Sequence, residues 1–242
     1  MIKKKVNMEF ERFESLNVWE ILRWARDEFG DKVALSSSFG AEDVVLIDIL
    51  YKVYSEKNLK PKIFTLDTGR LSNETYEVIE EIMDKYKIDI DFYFPDFREV
   101  EEMERKYGPN LFYKSIELRK LCCNIRKVKV LERALKNYKA WITGLRREQS
   151  ITRVDVKKVE IDETHNGIIK INPIVDWKNE DVWNYIRENN VPYNKLHDKN
   201  YPSIGCSPCT RAIKEGEDIR AGRWWWEAPE HKECGLHPSR RE

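Results

Sequence analysis

The five cysteines are the residues of this chain best suited to chemistry. Cys122 and Cys123 are adjacent, Cys206 and Cys209 form a Cys-x-x-Cys pair, and Cys234 stands alone near the C-terminus. Four thiolates are the ligand set of an iron–sulfur cluster or of a structural zinc ion. The fifth cysteine is then spare, and a spare thiol is a candidate nucleophile. The cysteine pattern therefore indicates a metal centre together with a covalent step.

The adjacency of Cys122 and Cys123 bears on which metal the site would hold. Neighbouring side chains on a helix diverge by about 100°, so two sulfurs that bind one small ion would need a local distortion. A cluster with metal atoms at separate corners relieves this requirement, and the pattern favours iron–sulfur over zinc. Four buried structural cysteines are the remaining interpretation. Lys127, four residues after Cys123 on the same helix face, would place positive charge between the cluster and a substrate.

The composition limits the classes of partner. The chain has 242 residues, enough for one sizeable core, and carries 43 basic and 43 acidic residues. This balance provides no global basic field for nucleic acid. Residues 1–7 are charged without a following apolar run, and no stretch is long enough to span a bilayer, so no signal peptide or membrane association is expected. We expect a cytoplasmic protein, in which cysteines stay reduced.

Alternating strands and helices are expected to position these residues. The periodicity predicts helices at 15–29, 41–56, 72–86 and 176–188, strands at 32–38, 62–66, 89–94 and 140–143, a helix from the cysteine pair to about 137, and a hairpin within 154–171. Ser15 is the expected N-cap of the first helix and Gly30 its end. This alternation indicates a parallel sheet, which binds ligands at the carboxyl ends of its strands. The loops at 36–40, 67–69 and 144–147 fall there.

The loop at 36–43 is a candidate anion site. It is rich in serine and lies between a predicted strand and helix, where free backbone N–H groups and hydroxyls bind phosphate. It lacks Gly-Lys-Ser/Thr and is therefore not a Walker loop. An ordinary serine-rich turn is the alternative. A companion loop, Leu66-Asp-Thr-Gly69, at the next strand end favours the phosphate interpretation.

Together these motifs resemble one family. The chain is similar to the assimilatory sulfonucleotide reductases, and among them to the iron–sulfur adenosine 5′-phosphosulfate (APS) reductases. The segments that carry the resemblance are 36–43, 66–70, 122–123, 141–153, 192–198, 201–211, 222–227 and the Lys-Glu-Cys-Gly-Leu-His of 232–237. They cover most of the chain from about residue 30 onward.

The resemblance implies a fold and a reaction. The fold is a Rossmann-like parallel twisted sheet of the adenine-nucleotide-binding, ATP pyrophosphatase-like type. The reaction is the thioredoxin-dependent reduction of APS to sulfite and AMP through an S-sulfocysteine, in sulfate assimilation and cysteine biosynthesis. The cofactor is one [4Fe-4S] cluster per subunit, which acts electrostatically or structurally, without redox cycling. The implied ligands are Cys122, Cys123, Cys206 and Cys209, and the implied nucleophile is Cys234.

The resemblance also implies substrate-binding residues. Cations for the sulfate and phosphate groups are Lys127, Arg153, Arg220 and Arg223, since Arg suits bidentate contact with oxygens. Backbone contacts to ribose and adenine fall to Gly144 and Leu66. Further substrate contacts are expected from Ser36, Ser38, Gly40, Gly69 and His237. Cations near the nucleophile, which would lower its pKa, are His231, Lys232 and His237.

The expected organisation is a nucleotide-binding α/β domain at 1–226 with a flexible segment at 227–242 that carries Cys234. A swinging segment would let the thiol reach a shielded pocket and then a protein reductant. His197 is interpreted as structural. The tryptophans at 224–226 are interpreted as a thioredoxin-docking surface, a pocket wall or core. The sequence leaves a homo-oligomer open.

Three other functions compete with this interpretation. A reductase of the 3′-phosphorylated nucleotide (PAPS) shares the tail cysteine, but such relatives usually lack the four ligand cysteines. A thiolation enzyme of the ATP pyrophosphatase type would need an intact Ser-Gly-Gly-x-Asp-Ser loop, from which 36–43 departs. A four-cysteine zinc module that binds nucleic acid is disfavoured by the balanced charge.

Overall fold

The computed structural model describes residues 10–149, 153–228 and 235–236. Within these residues the strands are β1 (Val33–Ser37), β2 (Lys62–Leu66), β3 (Asp91–Tyr93), β4 (Ala140–Ile142), β5 (Val159–Asp162) and β6 (Ile168–Ile171). They form one six-stranded sheet in the order β3-β2-β1-β4-β6-β5. All neighbouring strands run parallel except β5, which pairs antiparallel with β6 at one edge. The predicted Rossmann-like sheet is confirmed, and the expected hairpin supplies its edge.

Helices cover both faces of this sheet. Those of the described residues are α1 (Val18–Phe29), α2 (Ala41–Ser55), α3 (Asn73–Tyr86), α4 (Phe97–Tyr107), α5 (Ile116–Cys123), a π-helical segment (Asn124–Val128), α6 (Lys129–Leu135) and α7 (Asn179–Glu188). Short 3-10 turns lie at Arg12–Ser15, Gly30–Lys32, Leu111–Tyr113, Arg147–Gln149, Glu163–His165, Lys195–Lys199 and Ser207–Cys209. None of the described helices combines the length and the apolar character needed to cross a membrane.

The start of α1 differs from the sequence prediction. Asn17, not Ser15, caps this helix: its side chain accepts from the Glu20 N–H at 3.1 Å, and the Glu20 carboxylate accepts from the Asn17 N–H at 2.8 Å. This reciprocal capping box satisfies two helix-end donors, which Ser15 is too far back to do. Ser15 instead lies in the preceding 3-10 turn. Gly30 ends the helix as predicted.

Alternating side chains of the central strands build two cores. Val33 and Leu35 of β1 point into the larger core under α1 and α2, whereas Ala34 points to the opposite face, against α6. In β4, Ile142 and Trp141 divide in the same way. Successive side chains of a strand face opposite sides, so a sheet covered on both faces needs apolar residues at every position. The carboxyl ends of β1, β2 and β4 are thereby held side by side at one edge.

A third, smaller apolar cluster lies beyond that edge. It contains Phe112, Cys123, Cys209 and Trp224, with Met103 of α4 packed beneath. Helices α4 and α5, which contribute to it, were not predicted from the sequence. The cluster includes two of the four cysteines and packs against the other two, so apolar side chains form part of their surroundings.

Candidate active site and cysteine cavity

The four predicted ligand cysteines line one cavity. Cys122 and Cys123 come from the last turn of α5, and Cys206 and Cys209 from a tight turn closed by a 2.9 Å bond from the Cys209 N–H to the Cys206 carbonyl. Two segments about eighty residues apart in sequence are therefore brought together, as the motif spacing anticipates. Among the described residues, no three His, Cys, Asp or Glu side chains are spaced to hold a single ion.

The chemistry of this cavity fits a polynuclear metal centre. Burial raises the pKa of Cys122, and burial with the neighbouring Cys206 and Cys123 raises that of Cys209 to about 12. Four thiolates this close repel one another unless a multivalent cation compensates them. Trp224 also lines the cavity, and its buried indole N–H has no hydrogen-bond partner in the described part of the chain. A cluster or thiolate sulfur would satisfy that donor.

Cys206 is distinguished from the other ligand candidates by its surroundings. Burial alone would raise its pKa, but the charge of Lys127, a hydrogen bond with Thr68 and the charges of two arginines outweigh that effect and lower it. The Thr68 Oγ1 lies 3.3 Å from the Cys206 Sγ. The loop after β2 therefore contributes directly to the environment of the cysteines.

The helix widens immediately after the cysteine pair. From Asn124 to Val128 it is π-helical, and the Lys129 N–H donates to the Asn124 carbonyl, five residues back. A π turn contains one more residue than an α turn and is a frequent device of functional sites. Cys122 and Cys123 therefore lie at the junction between α-helical and π-helical geometry.

Arg126, from the π-helical segment, ties this helix to the loop after β2. Its guanidinium donates to the Thr68 carbonyl at 2.7 Å and to a Glu104 carboxylate oxygen of α4 at 2.5 Å. Gly69, an expected substrate contact, has φ +68°, and a Cβ there would lie 3.4 Å from the Arg126 Nη1. Gly69 does not line the larger cavity described below. The positive φ of the turn after β2 accounts for a glycine at this position.

Arg119, one turn before Cys123, makes a buried ion pair with Glu227. The two side chains are 1% and 3% exposed, and Nε and Nη2 reach the two carboxylate oxygens at 3.0 and 2.8 Å. Arg119 also hydrogen-bonds to Cys123 and lies 5.0 Å above the Trp224 ring. The pair joins the cysteine helix to the segment that follows the three tryptophans. Arg119 lies four residues before Cys123, and this helical spacing could have predicted their contact from the sequence.

A larger cavity, of about 220 Å³, opens at the carboxyl ends of β1, β2 and β4. The predicted substrate residues that line it are Ser36, Ser38, Gly40, Leu66, Lys127, Gly144, Arg153, Arg220 and Arg223. Leu236 also lines it and packs against the smaller sheet core, so part of the C-terminal segment closes over this edge. Cys234, His231, Lys232 and His237 lie outside the described residues.

The two cavities share a wall. Lys127, Arg223 and Trp224 line both of them. Arg223 is buried, donates to the Ile204 carbonyl at 3.1 Å, and lies so close to Gly205 that any side chain there would overlap its guanidinium. The glycine before the Cys-x-x-Cys thus makes room for the cation. Positive charge therefore stands between the cysteines and the larger cavity, where the sequence argument places it.

The serine loop is less open than its sequence suggests. Both the N–H and the hydroxyl of Ser38 donate to the Asp43 carboxylate, at 2.6 and 2.8 Å. Burial raises the pKa of Asp43 to about 6, although these hydrogen bonds oppose the shift. Ser38 lies at the cavity as expected, but its donors are already engaged within the chain. This internal contact has no periodic sequence signature.

The tryptophans at 224–226 and His197 lie in different environments in the structure. Trp224 is a wall of both cavities, whereas Trp225 is 39% exposed and packs edge-on to Trp226. His197 lines neither cavity; burial lowers its pKa, and its ring packs edge-on to Trp183 at 5.1 Å. This packing agrees with a structural role for His197.

Other α/β proteins of known structure share this fold. The structure resembles Candida glabrata FMN adenylyltransferase in complex with FAD and pyrophosphate, with a TM-score of 0.56 over 92% of this chain and 77% of that one. The two sequences are 14% identical, so the likeness concerns the fold alone. It agrees with a ligand site at the carboxyl ends of the parallel strands.

More specific matches identify the family. Residues 32–212 match the phosphoadenosine phosphosulfate reductase domain. The adenosine 5′-phosphosulfate reductase of Allochromatium vinosum is 50% identical over 88% of this chain and 80% of its own length. The phosphoadenylyl-sulfate (PAPS) reductase of Candida auris is 30% identical and superposes with a TM-score of 0.68 over 82% of this chain and 91% of that one. The chain belongs to the phosphoadenosine phosphosulfate reductase domain family, and the predicted class, an oxidoreductase acting on sulfur, is confirmed.

Proposed function

We propose that the protein reduces adenosine 5′-phosphosulfate to sulfite and AMP with electrons from thioredoxin, in the cytoplasm, as a step of sulfate assimilation and cysteine biosynthesis. The observation that carries this proposal is the basic wall of Lys127 and Arg223 between the four-cysteine cavity and the larger cavity. The chain is 50% identical to a protein named adenosine 5′-phosphosulfate reductase, and this identity supports adenosine 5′-phosphosulfate as the substrate.

One [4Fe-4S] cluster per subunit would be held by Cys122, Cys123, Cys206 and Cys209. The shared cavity, the crowded thiols and the unpartnered Trp224 N–H support this assignment. When bound, the cluster supplies fixed charge and rigidity next to the substrate rather than electrons. Brown protein with stoichiometric iron and sulfide is the expected result of anaerobic purification, and colourless protein with stoichiometric zinc would contradict it.

The substrate anions would bind at the basic side of the larger cavity. Lys127, Arg153, Arg220 and Arg223 would contact the sulfate and the 5′-phosphate, and the cavity lining supports all of these. Ribose and adenine would then extend toward the strand ends, against the backbone of Leu66 and Gly144. Cations beside the bridging oxygen stabilise the negative charge that the departing phosphate acquires.

The Cys234 thiolate would attack the sulfur of the sulfate group. A bond forms between Cys234 Sγ and that sulfur while the sulfur–oxygen bond to the phosphate breaks, and AMP leaves with the electron pair. The enzyme then carries an S-sulfocysteine. Cations near Cys234 would favour the thiolate form that this step requires.

Thioredoxin would complete the reaction. One of its thiolates attacks Cys234 Sγ, and sulfite leaves with the electron pair of the sulfur–sulfur bond. The second thioredoxin thiol resolves the mixed disulfide, so that thioredoxin is oxidised by two electrons and Cys234 is regenerated. A flexible segment at 227–242, rooted at the buried Glu227, would let Cys234 serve both steps.

Intact mass spectrometry of anaerobic protein tests this proposal. A single exposure to APS without reductant should add one sulfonate, located on Cys234 by peptide mapping. Cys234→Ser should bind AMP but accept no sulfonate. Protein that contains its cluster yet forms no adduct with APS would contradict the proposed function.

A further inference from the structure

The side-chain amide of Gln149 joins three groups at the larger cavity, which it also lines. Its Nε2 donates to the Gly144 carbonyl at 3.3 Å. Its Oε1 accepts from the Arg146 N–H at 3.1 Å and from the Arg153 guanidinium. Two donors meet the oxygen and an acceptor meets the nitrogen, so these partners fix the orientation of the amide. The side chain therefore links the segment just after β4 to Arg153.

The turn that carries Gln149 is built on a buried arginine. Arg146 is 1% exposed and pairs with the carboxylates of Glu42 at 2.7 Å and Glu148 at 2.9 Å. The Arg146 carbonyl accepts from the Gln149 N–H at 3.2 Å, so hydrogen bonds join these two residues in both directions. A group that is held in place before a ligand arrives loses little freedom when the ligand binds. The Gln149 amide is such a group.

The partner of an arginine decides how much of its charge a ligand can use. Arg146 faces two carboxylates, and it does not line the larger cavity. Arg153 lines that cavity, and Gln149 presents an uncharged oxygen to it. A carboxylate in the place of this amide would orient the guanidinium and also compensate its charge. The amide contact orients the guanidinium and leaves its charge in place.

We propose that Gln149 is a positioning residue, which directs the Arg153 guanidinium toward the anionic groups of the bound nucleotide without neutralising it. This inference rests on the proposed function, which places the sulfate and the 5′-phosphate beside Arg153. A planar guanidinium makes its strongest contact with phosphate oxygens only in a defined orientation. Control of that orientation by Gln149 therefore contributes to nucleotide affinity.

A double-variant cycle on the affinity of anaerobic holoprotein for AMP, measured by calorimetry, tests this role. Arg153→Met should weaken AMP binding at least about tenfold. Gln149→Met, which preserves the length of the side chain, should weaken it about fivefold. Because Gln149 acts through Arg153, the double variant should bind within about twofold of Arg153→Met alone. Asn189→Leu is the matched control and should not change the affinity, because that amide joins Lys52 to the Tyr185 carbonyl outside the cavity.

Gln149→Glu separates orientation from charge, and it also serves if Gln149→Met folds poorly. The variant keeps an oxygen for Arg153 but adds a negative charge, so it should weaken AMP binding at least about tenfold. A spectroscopic measurement tests the contact without nucleotide. Gln149 is the one glutamine of the chain, so selective ¹⁵N labelling of the glutamine side chain gives one pair of amide resonances. Arg153→Met should shift this pair, and Asn189→Leu should not.

The outcomes separate this inference from the proposed function. Wild-type affinity for AMP in Arg153→Met or in either Gln149 variant would overturn the role of Gln149. Losses that multiply in the double variant, or an unshifted amide resonance in Arg153→Met, would overturn it as well. These results would leave the proposed function standing, because its test is the sulfonate adduct on Cys234 of the wild type. Failure of the wild type to form that adduct and to bind AMP would overturn both.

Discussion

The ion pair between Arg119 and Glu227 provides a quantitative test of how the cysteine helix is joined to the C-terminal segment. Glu227→Gln would leave the Arg119 charge without its carboxylate partner in a site where the Arg119 side chain is 1% exposed. Loss of one partner of a buried pair costs about 3–5 kcal/mol. For a chain of this length each kcal/mol shifts the melting temperature by about 2–4 °C, so we expect a decrease of about 10 °C.

Differential scanning fluorimetry of anaerobic holoprotein at one fixed scan rate measures this decrease. Glu74→Gln is the matched control, because its partner Lys199 is 61% exposed and such pairs contribute about 1 kcal/mol or less. The double variant Arg119→Met with Glu227→Leu should recover most of the loss, since apolar replacement removes both buried charges. A Glu227→Gln shift no larger than that of the control would refute the argument that this pair anchors the segment.

Three further predictions concern the cavity wall, the serine loop and the C-terminal segment. Gly205→Ala should displace Arg223 and weaken AMP binding at least about tenfold, measured by calorimetry; unchanged affinity would show that Arg223 does not contact the nucleotide. Because burial raises the folded-state pKa of Asp43 to about 6 from its usual value near 4, ionised Asp43 destabilises the fold above pH 6 by about 3 kcal/mol, and this cost disappears as the pH falls toward 4. Asp43→Asn should therefore raise the melting temperature at pH 7.5 and lose that advantage by pH 4; a pH-independent difference would contradict the assignment. Leu236→Ala removes an apolar contact with the smaller core and should increase the alkylation rate of Cys234 several-fold, as followed by mass spectrometry, whereas an unchanged rate would mean that Leu236 does not hold the segment.

The sheet was predictable because its central strands are short, mostly apolar runs that alternate with helical patterns along the chain. The β2 prediction matches the observed Lys62–Leu66, and the predicted bounds of the helices on either side of it, Ala41–Ser55 and Asn73–Tyr86, are wrong by one residue each. Helix α4 was missed although Phe97, Val100, Met103 and Tyr107 recur at helical spacing, because every other position is charged and only Met103 of this helix is buried. The N-cap of α1 was misplaced because the reciprocal contact of Asn17 and Glu20 outweighs a lone serine.

Part of the candidate site was predictable from sequence motifs, and the rest depends on packing between distant segments. The cysteine motifs predicted that four cysteines would come together, and helical spacing predicted that Lys127 would lie beside them, whereas Arg223 was expected at the substrate from the family resemblance alone. Two other features depend on contacts that no local pattern encodes. Arg223 packs directly against Gly205, and the donors of Ser38 in the serine loop bind the Asp43 carboxylate. Such contacts become visible only when the strand ends are assembled.

The π-helical turn has a consequence for how this protein tolerates change. An extra residue in a helix shifts the phase of everything beyond it by about 100°. The turn at Asn124–Val128 therefore allows one continuous helix to meet two requirements. Cys122 and Cys123 face their cavity, while α6 packs Leu131 and Ala134 against the sheet. Deletion of one residue there would restore an ordinary helix and keep every side chain that the site requires, yet only one of the two faces could then remain in place. In this segment the number of residues is as constrained as their identity.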